Sequence, residues 1–346
     1  MARRSVKTTP ASAISRRDVL RAVAAAPILP LAAFAAQEHH PRGDPPTAKA
    51  EPAETPRLKL PRPWWMDARE RSRVIDLRSR SVLKGSNVDR IQLRTLLASG
   101  LRRLTDEVVV ERAWRAILGP ARKIAIKFNS VGADVLSGSD TFARVLVDLL
   151  ADSGYMADEI KLVEAPDFLT TELELKPPAA GWGEPIDVGG RPVDLARWFL
   201  DADAVINVGF LKTHRIAGMS GCMKNISHAI IRSPARFHAN HCSPAVAEII
   251  GQKVVADRLR LNIVNGLHVL VRNGPEAAEA DAIEAGIVLL GQDPVAVDRI
   301  GLDLLTAERR TAGLEDPVAV PYLTVAGDSG LGRIGSREIE QTTLEQ

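Results

Sequence analysis

The chain has 346 residues, 45% hydrophobic, 25% charged and 4% aromatic, with a formal net charge of +2; these proportions suit a globular protein of one large domain or two small ones. Its two cysteines, Cys222 and Cys242, exclude a disulfide scaffold and a self-contained four-cysteine iron–sulfur or zinc site. Residues 1–63 carry 11 Lys/Arg against 5 Asp/Glu and the remainder 34 against 38, so the body is slightly acidic and no nucleic-acid partner is expected, because such binding draws on basic phosphate contacts.

At the start, Ser15-Arg16-Arg17-Asp18-Val19-Leu20 resembles the twin-arginine export motif. A mostly apolar stretch from Val19 to Ala36 follows, with a small-residue cleavage site at Ala33-Phe34-Ala35. Pro27 and Pro30 inside this short, alanine-rich run argue against a transmembrane helix. The expectation is a signal peptide over 1–36 and a periplasmic or otherwise exported protein, with the twin-arginine translocase as a transient partner. Substrates of that route resemble one another in crossing the membrane folded, often with a cofactor already loaded. Residues 37–63 hold seven prolines and almost no large apolar residues. Such a segment buries too little surface to offset its ordering entropy, so a disordered linker is expected, with His39 and His40 as solvated tail residues.

From Trp64 to Gln346 short Val/Ile/Leu-rich runs alternate with helical patterns, which predicts a single α/β domain with a mainly parallel central sheet and helices on both faces. The predicted strands are Arg73–Leu77, Lys123–Phe128, Glu159–Glu164, Ala204–Gly209, Leu259–Val264 and Ala285–Leu290. Asp140–Leu150 predicts a helix with Phe142, Leu146 and Leu149 on one face. Ser243-Pro244 predicts a capped helix start running through Val255, and Asp293-Pro294 another running to about Leu305. Ligands in such sheets bind beyond the carboxyl ends of the strands. The polar residues placed there by the pattern are Asn129, Glu164 to Asp167, Lys212 to His214, Asn265 to His268, and Gln292-Asp293. No internal repeat is present. Gly330, Gly332 and Gly335 match the dinucleotide fingerprint literally, but that fingerprint works between a first strand and a helix with an acidic residue about 20 positions later, and only 11 residues follow Gly335, so they read as turn glycines.

The informative segment runs from 207 to 242. Between His214 and Cys242 lie four of the seven histidines and both cysteines. Such clustering fits a metal or redox site, with His238, His241, Cys222 and Cys242 as candidate ligands, although the spacing matches no closed zinc pattern. A Cys222–Cys242 disulfide, or histidines merely satisfied in the core, would explain the same residues. Lys212, Thr213 and His214 follow the AVINVG strand. Gly218 and Gly221 permit close backbone approach to a ligand, and Ser220 is placed to cap a helix beginning near Gly221, whose free N–H groups would favour an anion. Lys224 and Asn225 fall in its first turns, where a lysine of lowered pKa serves as nucleophile or tether, and His214 suits general acid/base work. Arg236 adds positive charge. Asp293 reads as an N-cap; Asp298 either orients a pocket histidine or lysine or faces solvent.

The run from Asp203 to His214, followed by Met223-Lys224-Asn225, resembles the signature of the DUF362 family, a domain of unknown function. Ile126-Lys127-Phe128-Asn129 upstream, Gly274-Pro275, and the stretch from Gly291 to Asp298 resemble its further landmarks. The resemblance covers most of residues 120–335 and implies a shared fold and site without a reaction; some relatives add a cluster-binding segment whose cysteines this chain lacks. Separately, His214 to Lys224 is similar to the His-x-x-Ala-Gly-x-Ser-Gly-Gly-x-Lys motif of nickel-dependent lactate racemases, with Cys222 standing for the second glycine. That resemblance implies His214 as acid/base, Lys224 as the tether of a nickel-containing nucleotide cofactor, and His238 or His241 as a source of a nickel ligand. Three function classes follow. The first is an enzyme for proton or hydride transfer at carbon, of racemase or oxidoreductase type, acting on a small anionic ligand. The second is a metal- or iron–sulfur-associated redox protein with a redox partner. The third is a non-catalytic periplasmic binding protein.

Overall fold

A computed structural model of the protein describes residues 57–346 apart from 86, 137, 277 and 318. The expected signal peptide and most of the expected linker lie outside the described residues. Among those described, twelve strands occur in chain order: β1 (Ser72–Arg78), β2 (Leu83–Lys84), β3 (Asn87–Val88), β4 (Ile124–Lys127), β5 (Ile160–Val163), β6 (Trp182–Val188), β7 (Arg191–Ala196), β8 (Ala204–His214), β9 (Gly218–Ser220), β10 (Leu259–Leu270), β11 (Ala282–Gly291) and β12 (Ile339–Glu345). Eight form the central sheet in the order β12-β1-β11-β10-β8-β4-β5, with β9 added to the end of β8. β5, β4, β8 and β10 run parallel, as do β12 and β1, whereas β11 is antiparallel to both of its neighbours. The fold is the mostly parallel α/β architecture that the alternating pattern predicts.

Because successive strand residues point to opposite faces, each strand supplies both cores. Ile75, Ile124, Ile126, Ile206, Val208, Leu261 and Ile263 pack beneath the helices Arg90–Thr105, Val110–Leu118 and Ser139–Asp152. Val74, Ala125, Val205 and Val264 face the helices Cys222–Ala229, Ala245–Gly251, Pro294–Thr311 and Pro321–Asp328. Phe142, Leu146 and Leu149 are all buried, as their shared face requires.

Three expectations are corrected. β8 and β10 run well past their predicted ends, so Lys212–His214 and Asn265–His268 lie within strands rather than beyond them; β8 is buried along its whole length, and β9 pairs with its last three residues. Ser243 caps nothing: the helix begins at Ala245 with Pro244 in the cap position, ends at Gly251, and a separate turn covers Lys253–Ala256. Asp293, by contrast, accepts from the Val295 and Ala296 N–H groups and caps a helix that continues to Thr311. Residues 57–63, the end of the expected linker, lie against the body: Leu58 N–H donates to Ser329 Oγ at 2.9 Å, and Leu60 packs on Gly251.

Candidate functional site: a polar row and an imidazole cluster

Lys127, Asn207, Asn262 and Gly291 are in register on four adjacent strands, β4, β8, β10 and β11. The three side chains face the helix Cys222–Ala229 and are buried. Their polar atoms are joined in one chain. Asn262 Nδ2 donates to Gln292 O at 3.1 Å, and Asn207 Nδ2 donates to Asn262 Oδ1 at 3.0 Å and to Cys222 O at 2.8 Å. Asn225 Nδ2 donates to Asn207 Oδ1 at 2.8 Å and to Val208 O at 3.1 Å. Lys127 Nζ closes the chain on Asn225, donating to its side-chain oxygen and, at 3.0 Å, to its carbonyl. Burial pushes the Lys127 ammonium down, and Glu164, 3.5 Å away, partly offsets this. The row therefore seats the helix: Asn225 is structural, buried beneath it rather than open to a ligand.

Two close approaches complete the seating. A Cβ on Gly209 would stand 2.5 Å from Gly221 O, and one on Gly221 would stand 2.3 Å from Asp298 Oδ1. Asp298, from the helix Pro294–Thr311, accepts the Cys222 N–H at 2.6 Å and the Met223 N–H at 2.9 Å. The expected anion site at this helix start is thus filled by the protein's own carboxylate, and Ser220, expected as the cap, is instead a strand residue opposite Lys212. Burial raises the Asp298 pKa from 3.8 to about 7, against the two N–H bonds, which lower it.

Held in this way, the helix carries Lys224 and His228 one turn apart on one face. His214 reaches the same place from the end of β8. Its Nδ1 accepts from the Ile216 and Ala217 N–H groups, each at 3.2 Å, so the neutral ring carries its proton on Nε2. That Nε2 is sealed from solvent and has no hydrogen-bond partner among the described residues. Burial, then the nearby Lys224 charge, push the His214 and His228 pKa values down. His238 completes the group, stacked on His214 at 5.9 Å between ring centroids and edge-on to His228 at 4.8 Å. His228 Nδ1 lies 3.1 Å from Ser227 Oγ, while its Nε2 is sealed and has no hydrogen-bond partner among the described residues. Cys242 Sγ and one ring nitrogen each of His228 and His238 lie within 4.8 Å of one another.

The structure thus gathers His214, Lys224, His238 and Cys242 and adds His228. It separates the other expected residues. Cys222 is a free thiol whose Sγ donates to Ile263 O at 3.4 Å, so no disulfide joins it to Cys242. His241 is exposed, and its Nδ1 donates to Ile216 O at 2.6 Å, pinning two loops together. Arg236 is exposed over the Phe237 ring. Lys212 Nζ donates to Val131 O at 2.6 Å, and Asn129 Oδ1 accepts from Val131 N–H, so both order the loop after β4. Thr213 Oγ1 accepts from Gly274 N–H at 3.2 Å. Gly218, with φ of +79°, turns the chain into β9. The sequence alone assigns no site role to Lys127, named only within a family landmark, nor to Asn207, Asn262 and His228. Their signals are polar residues on one parity of apolar strands, and a histidine four residues after Lys224.

The molecule belongs by construction to the mostly parallel α/β proteins, with a lysine–imidazole cluster at the end of a central strand. The model of the DUF362 family, a domain of unknown function, matches residues 179–303, which contain the whole cluster. Among solved structures, the chain is similar to the lactate racemase apoprotein from Thermoanaerobacterium thermosaccharolyticum at 11% identity and a TM-score of 0.38, covering 60% of this chain and 54% of that one. It is also similar to a structural-genomics protein from Thermotoga maritima at 14% identity and a TM-score of 0.31, covering 67% of this chain and 61% of that one. The chain therefore spans less than two thirds of either relative. No curated protein matches it.

Proposed function

We propose that the protein is an enzyme that binds a small anionic substrate against Lys224 and His214 and transfers a proton or hydride at the substrate carbon. The observation that carries this reading is the His214 ring. Its two backbone donors commit Nδ1 as an acceptor, leaving a neutral Nε2–H sealed beside a lysine with no acceptor among the described residues. A fixed N–H donor in a low-dielectric interior is suited to a substrate oxygen on which charge develops, and the Lys224 side chain to a carboxylate. His214 therefore polarises and donates, and in this tautomer it does not act first as a base.

The resemblance to nickel-dependent lactate racemases supports a nickel nucleotide on Lys224, which would supply the acceptor for hydrogen leaving carbon. Cys222, which stands where those enzymes have glycine, turns its Sγ to Ile263 O and leaves the cluster clear. Export is part of the proposal, resting on the Arg16-Arg17 motif. The chain should reach the periplasm, and Arg16→Lys with Arg17→Lys should block that.

The test is turnover of the C2 hydrogen of 2-hydroxy acids, read as interconversion of their enantiomers for hydride transfer and as deuterium exchange for proton transfer, with intact mass and elemental analysis on the same mature protein. Turnover by wild type that falls at least about 100-fold in His214→Gln, with an unchanged circular dichroism spectrum, is the expected result. Turnover unaffected by the substitution refutes the assigned role. An adduct on Lys224 with bound nickel supports the tethered-cofactor form of the reading.

A further inference from the structure

The cluster contains more than substrate-binding chemistry requires. Behind His214 stands His238, and His228 and Cys242 close on it with three donor atoms inside 4.8 Å. Around a tetrahedral ion with ligand bonds of about 2.0–2.3 Å, neighbouring donor atoms are roughly 3.4–3.8 Å apart, so a closure of about 1 Å would bring all three into bonding range. Two observations single this group out from ordinary buried histidines. His228 has its Nδ1 within reach of Ser227 Oγ, while its sealed Nε2 is without a hydrogen-bond partner among the described residues. The chain that delivers Cys242 is also strained: Asn240, His241 and Cys242 are three successive non-glycine residues in the left-handed region, at φ of 50°, 55° and 63°. Such residues carry a conformational cost and persist where the surroundings over-determine them, characteristically at functional sites.

We propose that His228, His238 and Cys242 form a binding site for a borderline-soft divalent transition-metal ion of the zinc type, with an open fourth position that takes an anion. Two imidazoles and a thiolate are the donor set such an ion selects over magnesium or calcium. On binding, the Cys242 S–H bond breaks, the sulfur electron pair goes to the metal and one proton is released to solvent, with no change of oxidation state. Charge sets the fourth ligand. The dication and thiolate together leave +1, with Lys224 close by. Hydroxide or a substrate carboxylate in the fourth position would bring the metal–thiolate unit to neutrality in a buried site. The ion would then sit beside the residues assigned to the proposed reaction. The site stands on its own geometry and does not depend on that reaction occurring.

The test uses the purified full-length mature protein, stripped with chelator and titrated with zinc or, for spectroscopy, with cobalt(II). Expected are one equivalent bound, a thiolate-to-cobalt charge-transfer band, and release of about one proton. His228→Ala and Cys242→Ser should each weaken binding by at least about 100-fold. Added acetate or lactate should tighten zinc binding in wild type. His228→Gln, which preserves size, covers the case in which the alanine variant fails to fold. Absence of stoichiometric metal, or binding indifferent to both His228 and Cys242, overturns the site. The two proposals fail separately: loss of metal with intact His214-dependent turnover sinks only the metal site, and metal binding without turnover sinks only the reaction.

Discussion

Asn225 shows how much one amide can control here. Its side chain accepts the Lys127 ammonium and donates to Asn207 Oδ1 and Val208 O, all in the interior. Asn225→Ala would leave a buried ammonium and a buried amide oxygen each short of a partner, and unmatched buried groups cost more than the bonds themselves contribute. The expected loss is about 2–4 kcal/mol in urea denaturation. Asn225→Asp, which keeps the acceptor for Lys127 but loses the donors to Asn207 and Val208, should recover only part of it. A neutral effect of the alanine variant would mean that the row does not seat the helix. Gly209 acts by what it lacks: any side chain there would meet Gly221 O, so the helix start could not approach β8.

At the scale of one element, the helix Cys222–Ala229 is short, and its start is held by a carboxylate from another helix rather than by its own cap. Asp298 is pushed up to about 7 in the fold, against an ordinary value of 3.8. Between those values the folded chain holds a proton that the unfolded chain has released. The stability this residue contributes is therefore fully present below about pH 4 and is lost as pH rises to about 7, at up to about 1.4 kcal/mol per pH unit. Asp298→Asn should remove that one-proton component from a plot of unfolding free energy against pH between 4 and 7. An unchanged slope would mean that Asp298 titrates alike folded and unfolded.

At the scale of the whole molecule, residues 57–68 act as a strap across one layer of helices. Trp65 is buried and its Nε1 donates to Leu331 O at 2.8 Å; Trp64 Nε1 donates to Ala256 O at 3.0 Å beneath the Arg260 guanidinium; and Leu60 packs on Gly251. These contacts join segments some 190 to 270 residues apart in the chain. A chain starting at residue 69 should be less stable than one starting at residue 57 by about 3–5 kcal/mol, the usual cost of losing a buried tryptophan. Equal midpoints in guanidinium would show that the strap is dispensable.

The class of fold was legible in the amino-acid sequence because each strand and helix writes a local period, and runs such as KIAIKF, AVINVG and LRLNIV satisfy it without reference to the rest of the chain. So was the neighbourhood of the site, since His214, Lys224, His238 and Cys242 lie within 29 residues. Their partition could not be read there. Whether a histidine is a ligand, a tether between loops or a stacked ring depends on what faces it, and residues close in sequence are sent apart by a bend, as His238 and His241 are. Asp298 became a clamp rather than an orienting carboxylate, and Lys127, Asn207 and Asn262 became one row, only because strand register and helix packing bring together atoms as far as 135 residues apart. Local periodicity determined the elements; long-range burial, which pairs most interior polar atoms and leaves a few unmatched at the cluster, decided which residues make the site.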